Sequence, residues 1–282
     1  MKKILDLTLS LLIIALLASQ ALAKQSDSNS DNTAQQKNPQ SQWTGKKVAF
    51  LGDSMTQKRD SAIRVYWEYL ADIMGLEPFV YGISGNQWDG IYRQAQKLKQ
   101  ERGTNIDAIL IFAGTNDYNH NIPLGNFYNE TAKETNFNGT MVTRKYRTLI
   151  EDDSTFCGRI NKVMAFLKSN YPDQQIVIMT PIHRGFASFN ERNVQPEESF
   201  SNDLGLYIDN YVKTLKEAAS VWAVPLIDLY STSGLYPMLD SNIKYFSNAE
   251  TDRLHPNSAG NFRLAKTIQY QLQALPADLM EK

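Results

Sequence analysis

Residues 47–56 read Lys47-Val48-Ala49-Phe50-Leu51-Gly52-Asp53-Ser54-Met55-Thr56. Apart from Lys47 the first five are apolar, the pattern of a short strand buried on both faces. Gly52 permits a sharp exit from that strand, and Ser54 stands where a helix or loop begins. The same kind of run recurs at 78–81 (PFVY), 106–112 (IDAILIF), 175–180 (QIVIMT) and 224–229 (VPLIDL). Between the runs lie amphipathic segments at 62–74, 89–100, 156–170 and 203–222, with a last one near 259–275 stopped by Pro276. Strands alternating with helices predict an α/β fold, with parallel pairing, right-handed crossovers and helices on both faces of the sheet. Pro225 suits the start of an edge strand, where a missing N–H is tolerated. Ligands of such sheets bind beyond the carboxyl ends of the strands.

The segments before this region have other roles. Lys2 and Lys3 precede an apolar run from Leu7 to Leu17, and Ala21-Leu22-Ala23 closes it. A basic start, a short apolar core and small residues two apart describe a secretory signal peptide over residues 1–23. The run is short for a membrane span, so the chain is expected to be exported to a periplasm or the cell exterior, without stable membrane insertion after cleavage. Residues 24–44 are rich in Ser, Asn, Gln and Asp and read as a polar, disordered linker. Residues 45–282 are then the folded domain. With 29 basic and 30 acidic side chains the formal net charge is −1, which offers no case for nucleic acid or an anionic surface. The single cysteine, Cys157, cannot form an internal disulfide or build a cysteine-based zinc site, and its setting favours a small buried residue.

Chemistry concentrates at the predicted ligand edge. A serine at position 54 has its hydroxyl there and its own N–H free for an anion, although Ser and Asp are also ordinary turn and cap residues. Near the other end, Asp252-Arg253-Leu254-His255-Pro256 sets a carboxylate three residues before an imidazole. In a loop that spacing lets Asp252 accept from one ring nitrogen and leaves the other as a base. Two glycine-containing turns follow strands: Tyr81-Gly82-Ile83-Ser84-Gly85-Asn86 and Ala113-Gly114-Thr115-Asn116-Asp117. The Gly85 N–H and the Asn116 amide are candidate donors to an oxyanion; each turn taken alone is equally a plain loop.

Together these four segments resemble the SGNH hydrolases, also called GDSL-type esterases and lipases. The resemblance rests on Gly52-Asp53-Ser54, on Gly85, on Gly114-Thr115-Asn116-Asp117 and on Asp252 to Pro256, in family order across most of the chain. Met55 departs from the family's usual Leu or Ile, apolar for apolar. The resemblance implies a three-layer α/β/α sandwich around a five-stranded parallel sheet, the flavodoxin-like SGNH fold. It implies Ser54 as nucleophile, His255 as general base and then acid, and Asp252 as the residue orienting His255. It also implies an oxyanion hole from the Ser54 N–H, the Gly85 N–H and the Asn116 side chain. No metal or cofactor is called for, because an acyl-serine forms and water hydrolyses it.

Weaker expectations surround this set. Strand alternation points Asp53 away from Ser54, toward a structural hydrogen bond rather than catalysis. His183 follows the fourth run and is a candidate substrate contact; His120 lies in a polar segment, and Asp228 ends a strand with no evident partner. Residues 118–155 lack core periodicity and leave the third strand just after Asn116, so they are expected to overhang the site. Tyr118, Phe127 and Tyr128, with Trp88 beyond Gly85, form either an aromatic wall suited to sugars or plain packing on the sheet. The resulting expectation is an exported carboxylic-ester hydrolase that removes acetyl or short acyl groups from carbohydrate. Alternatives are a lipid esterase or lysophospholipase, and a non-catalytic glycan-binding protein on the same scaffold.

Overall fold

The computed structural model describes residues 41–58 and 64–279. The predicted signal peptide and the linker up to residue 40 lie outside the described residues. Five parallel strands form the central sheet: β1 (Lys47–Gly52), β2 (Glu77–Val80), β3 (Ala108–Phe112), β6 (Gln175–Met179) and β9 (Leu226–Ile227). Their spatial order is β2-β1-β3-β6-β9, so the direction of winding reverses between β1 and β3. Pro225 precedes β9, the edge strand, as its missing donor requires.

Alternating side chains divide the core into two layers. Ala49, Leu51, Ile109, Ile111, Ile176 and Ile178 point to one face, under α2 (Trp88–Arg102), α4 (Phe156–Asn170) and α5 (Ile208–Val221). Val48, Phe50, Leu110, Phe112, Val177 and Met179 point to the other, under α1 (Tyr66–Met74) and α7 (Ser258–Gln273). This is the three-layer α/β/α sandwich, and burial on both faces explains the unbroken apolar runs. Helix ends follow local chemistry. Thr155 accepts the Gly158 N–H to start α4, and Asn257 accepts those of Ala259 and Gly260 to start α7. The predicted 203–222 helix begins only at Ile208, after a turn built on Asn202.

The linker boundary needs correction at residues 41–44, which form a turn rather than a tether. Trp43 is fully buried, and its indole N–H donates to the Leu272 carbonyl at 2.9 Å. A large apolar ring beside polar neighbours gains more from that burial than the turn costs to order.

Two departures concern regions without apolar periodicity. Residues 118–155 open on the end of a short helix, α3 (Thr115–Asn119), and then form a ten-residue-per-strand hairpin, β4 (Tyr128–Phe137) and β5 (Thr140–Leu149). Its two-residue turn is Asn138-Gly139, both at positive φ, the pairing favoured by a tight hairpin. Asn161 holds the hairpin's root by donating to the Phe127 and Ile150 carbonyls, each at 2.8 Å. The second departure is an antiparallel sheet of β7 (Ala187–Asn190), β8 (Asn193–Gln195), β10 (Phe246–Asn248) and β11 (Asp252–Pro256), in the order β10-β11-β7-β8. Asp252 and His255 therefore lie on a strand, β11, and not on a loop. Between β9 and β10 come α6 (Leu229–Thr232) and a 3-10 turn, Asp240–Tyr245.

Candidate active site

The site forms where β1, β2 and β3 end, next to the switch point of the winding order. Gly52 ends β1. It is needed for space rather than for φ: a Cβ there would lie 2.2 Å from Thr56 Oγ1 and 2.7 Å from the Phe112 carbonyl. The buried Gln94 amide clamps Gly52, accepting its N–H at 2.9 Å and donating to its carbonyl at 2.8 Å. The chain then turns tightly on the Asp53 carbonyl, which accepts the N–H groups of Thr56 and Gln57. That turn carries Ser54 to the sheet edge.

The structure brings Ser54, His255 and Asp252 together across 201 residues of sequence. His255 Nε2 lies 2.9 Å from Ser54 Oγ. His255 Nδ1 lies 3.0 Å from both carboxylate oxygens of Asp252. Asp252 Oδ1 also accepts the backbone N–H groups of Leu254 at 3.2 Å and His255 at 3.0 Å, which fixes the carboxylate on its strand. All three residues are buried. With Nδ1–H donated to Asp252, Nε2 is the acceptor that faces the Ser54 hydroxyl.

Gly85 and Asn116 line the same cavity, of about 180 Å³, with Ser54 and His255. Gly85 has φ of +78°, a backbone that L side chains rarely adopt. Neither the Ser54 nor the Gly85 N–H is taken by a hydrogen bond to another described residue. Asn116 sits in the first turn of α3, and its amide donates to the Asn86 carbonyl at 3.0 Å and to Asp53 Oδ2 at 3.3 Å. One of those bonds must be shared for the amide to face an oxyanion. His120 caps the same helix, its Nδ1 2.8 Å from the Asn116 carbonyl, and so supports Asn116.

The remaining sequence candidates fall elsewhere. Trp88 is fully buried edge-on against Phe156, and Tyr118 is 2% exposed with its hydroxyl donating to the Phe200 carbonyl. Neither can touch a substrate, because both rings complete the core under α2 and α5. Phe127 is buried as well, so there is no aromatic wall from this segment, and residues 118–155 do not line the cavity. His183 pairs with Glu198 at 2.6 Å and stacks on Tyr230, outside that lining. Asp228 has partners after all: it caps α6 at Ser231 and pairs with Lys216 at 2.5 Å. Cys157 is buried, and desolvation pushes its thiol up to about 12. Among the described residues no group of three or more His, Cys, Asp or Glu is placed to hold a metal ion.

Charges lie buried beneath the site, and of these the sequence reading singled out only Asp53, as a structural hydrogen bonder. Asp53 Oδ1 accepts the Met55 N–H, its Oδ2 accepts from the Asn116 amide, and burial pushes its carboxyl up to about 7. Asp117 is likewise raised to about 7 by burial, opposed by the Trp88 N–H and by Arg159 at 3.1 Å. Arg184 is 1% exposed. It donates to Thr115 and, at 2.9 Å, to Gln195, and burial lowers its guanidinium to about 10. Phe189, Asn193 and Gln195, on β7 and β8, also line the cavity. Their only sequence signal is the short alternation around Asn190 to Asn193, too brief to mark a hairpin by itself.

Comparison with known proteins bears on the fold and the family. The fold is similar to that of a Lactobacillus plantarum protein, at 26% identity over 82% of this chain and 98% of that one, with a TM-score of 0.63. It is also similar to a possible lipase from Chitinophaga pinensis, at 18% identity over 83% of this chain and 100% of that one, with a TM-score of 0.64. No curated protein matches the chain. Residues 50–262 match the model of the GDSL-like Lipase/Acylhydrolase family, a span that contains Ser54, Gly85, Asn116, Asp252 and His255. The chain belongs to that family, the SGNH hydrolases.

Proposed function

We propose that the protein is an exported serine carboxylic-ester hydrolase that removes acetyl or other short acyl groups from carbohydrate. The observation that carries the reading is the contact of Ser54 Oγ with His255 Nε2 at 2.9 Å, backed by Asp252 on Nδ1. In this reading Ser54 attacks the ester carbonyl as His255 takes its proton, and Asp252 stabilises the imidazolium that forms. Charge developing on the carbonyl oxygen meets the Ser54 and Gly85 N–H groups and the Asn116 amide. His255 then protonates the leaving alcohol, and water hydrolyses the acyl-serine by the same steps in reverse. A small cavity with many polar groups supports a short acyl group over a long lipid chain. The basic, apolar and small-residue pattern of residues 1–23 supports export. Among the described residues no helix is long and apolar enough to cross a membrane.

The test is hydrolysis of p-nitrophenyl acetate, butanoate and octanoate by the purified protein and by its Ser54→Ala variant. The reading requires turnover that needs Ser54 and declines sharply beyond acetate. A preference for octanoate would assign a lipid esterase instead. Equal background rates in both proteins would leave a glycan-binding protein on a hydrolase scaffold. For export, the amino terminus of the protein released by expressing cells should begin at residue 24.

A further inference from the structure

Such a reaction has a fixed polarity. The carbonyl oxygen turns toward the oxyanion donors, and the leaving oxygen must come within reach of the imidazole that protonates it. Here the donors Gly85 and Asn116 come from the ends of β2 and β3, while His255 comes from β11. β11 is bonded to β7, and β8 returns alongside β7, so the β7–β8 hairpin borders the cavity from the side of His255. The Phe189 ring lies 5.6 Å from the imidazole and remains 39% exposed. Gln195 is held at both ends: its oxygen accepts from Arg184 at 2.9 Å, and its amide donates to Asn193 Oδ1 at 3.0 Å. This fixes the Asn193 amide with its oxygen engaged. Its Nδ2 donates to no other described residue.

We propose that the β7–β8 hairpin is the subsite for the alcohol half of the ester, and that this alcohol is a sugar. This rests on the esterase reading above. Phe189 stacks on the apolar face of the sugar ring, and Asn193 Nδ2 donates to a hydroxyl beside the ester. Buried Arg184 anchors the wall through Gln195. In the first step the Ser54 Oγ–carbonyl carbon bond forms and the bond from that carbon to the sugar oxygen breaks. The serine proton passes through His255 to the sugar oxygen. A hydrocarbon alcohol in the same place would desolvate the Asn193 donor without pairing it, which disfavours it.

Two acetate esters that differ only in the alcohol test this: an O-acetylated methyl glucopyranoside and ethyl acetate, followed by acetate release. The wild type should prefer the sugar ester in kcat/KM. That ratio should fall by about tenfold in Asn193→Ala, the effect of one lost hydrogen bond, and also in Phe189→Ala. A ratio taken within one preparation is independent of how much protein is folded. The proposal is overturned if the wild type shows no preference, or if the variants leave the ratio within about twofold. It is also overturned if their losses follow acyl length at constant alcohol, since the hairpin would then hold the acyl chain. Failure of the esterase reading looks different: neither ester would be hydrolysed faster than by Ser54→Ala.

Discussion

Replacing Asp252 by asparagine separates orientation from charge at this site. Asp252 Oδ1 accepts two backbone N–H groups, from Leu254 and His255, while sitting 3.0 Å from His255 Nδ1. An asparagine oxygen in that position still accepts all three bonds, but its amide replaces Oδ2 3.0 Å from Nδ1 and sets a donor against a donor. Where the two backbone bonds hold the oxygen on Nδ1, the imidazole keeps its Nδ1–H tautomer and presents Nε2 to Ser54. What disappears is the negative charge facing the imidazolium. At a charge separation of about 4 Å and an effective dielectric near 20, that attraction amounts to about 4 kcal/mol. Its loss lowers kcat by about a thousandfold. Asp252→Ala removes the anchor as well and should fall further, toward the level of Ser54→Ala. The assay is kcat and KM for p-nitrophenyl acetate, with a thermal melt of each variant to establish folding. A loss under about tenfold in Asp252→Asn would refute a stabilising role for the carboxylate. A loss equal to that of Ser54→Ala would show that the backbone anchors do not hold the tautomer.

Asn116→Ala should lower kcat by about a hundred- to a thousandfold with little change in KM, the signature of a donor that acts in the transition state. A rise in KM alone would place Asn116 in ground-state binding. Trp43→Ala should destabilise the fold by about 3–5 kcal/mol, because it empties a fully buried site and removes the indole bond to the Leu272 carbonyl. Urea titration reads this directly, and a change under about 1 kcal/mol would mean that the turn at 41–44 is dispensable. Stability should also respond to pH through Asp117. The folded state holds its proton up to about 7, whereas the ordinary value is 3.8, so the folded state binds more protons between those limits. The contribution is complete below about 4 and is lost as pH rises through 7. Asp117→Asn should therefore flatten melting temperature against pH across that window, and an unchanged slope would contradict the assignment.

Legibility followed periodicity. Residues 47–51, 106–112 and 175–180 announce buried strands because both faces of a parallel sheet are covered, and 156–170 announces a helix whose bounds agree with the structure. The hairpin of β4 and β5 was harder to see, since nearly every side chain in it is exposed and hydrophobic alternation is absent. Its one strong local mark is Asn138-Gly139, whose positive φ values suit a two-residue turn. The strands of the smaller sheet are three to five residues long, and its two short hairpins join only through Asp252 and Ala187, across more than fifty residues of sequence and beyond the reach of any local pattern.

The aromatic residues illustrate the same limit. Trp88 and Tyr118 stand beside Gly85 and Asn116 in sequence, which suggests a substrate wall, yet both rings turn inward. Asn116 and Tyr118 are two apart on α3, where such positions point to opposite sides, and Trp88 opens α2, so proximity in sequence does not decide which one meets the cavity. Phe189 and Asn193 do line it, and they come from a hairpin far from both motifs. By itself the sequence determined the α/β class, the residue types able to do acyl transfer and the ends of the strands where they act. Only the tertiary structure decided that β11 carries Asp252 and His255 to Ser54 and that Arg184 lies buried beneath the β7–β8 wall. Backbone pattern is set by local burial, whereas contacts across two hundred residues depend on how separate elements pack.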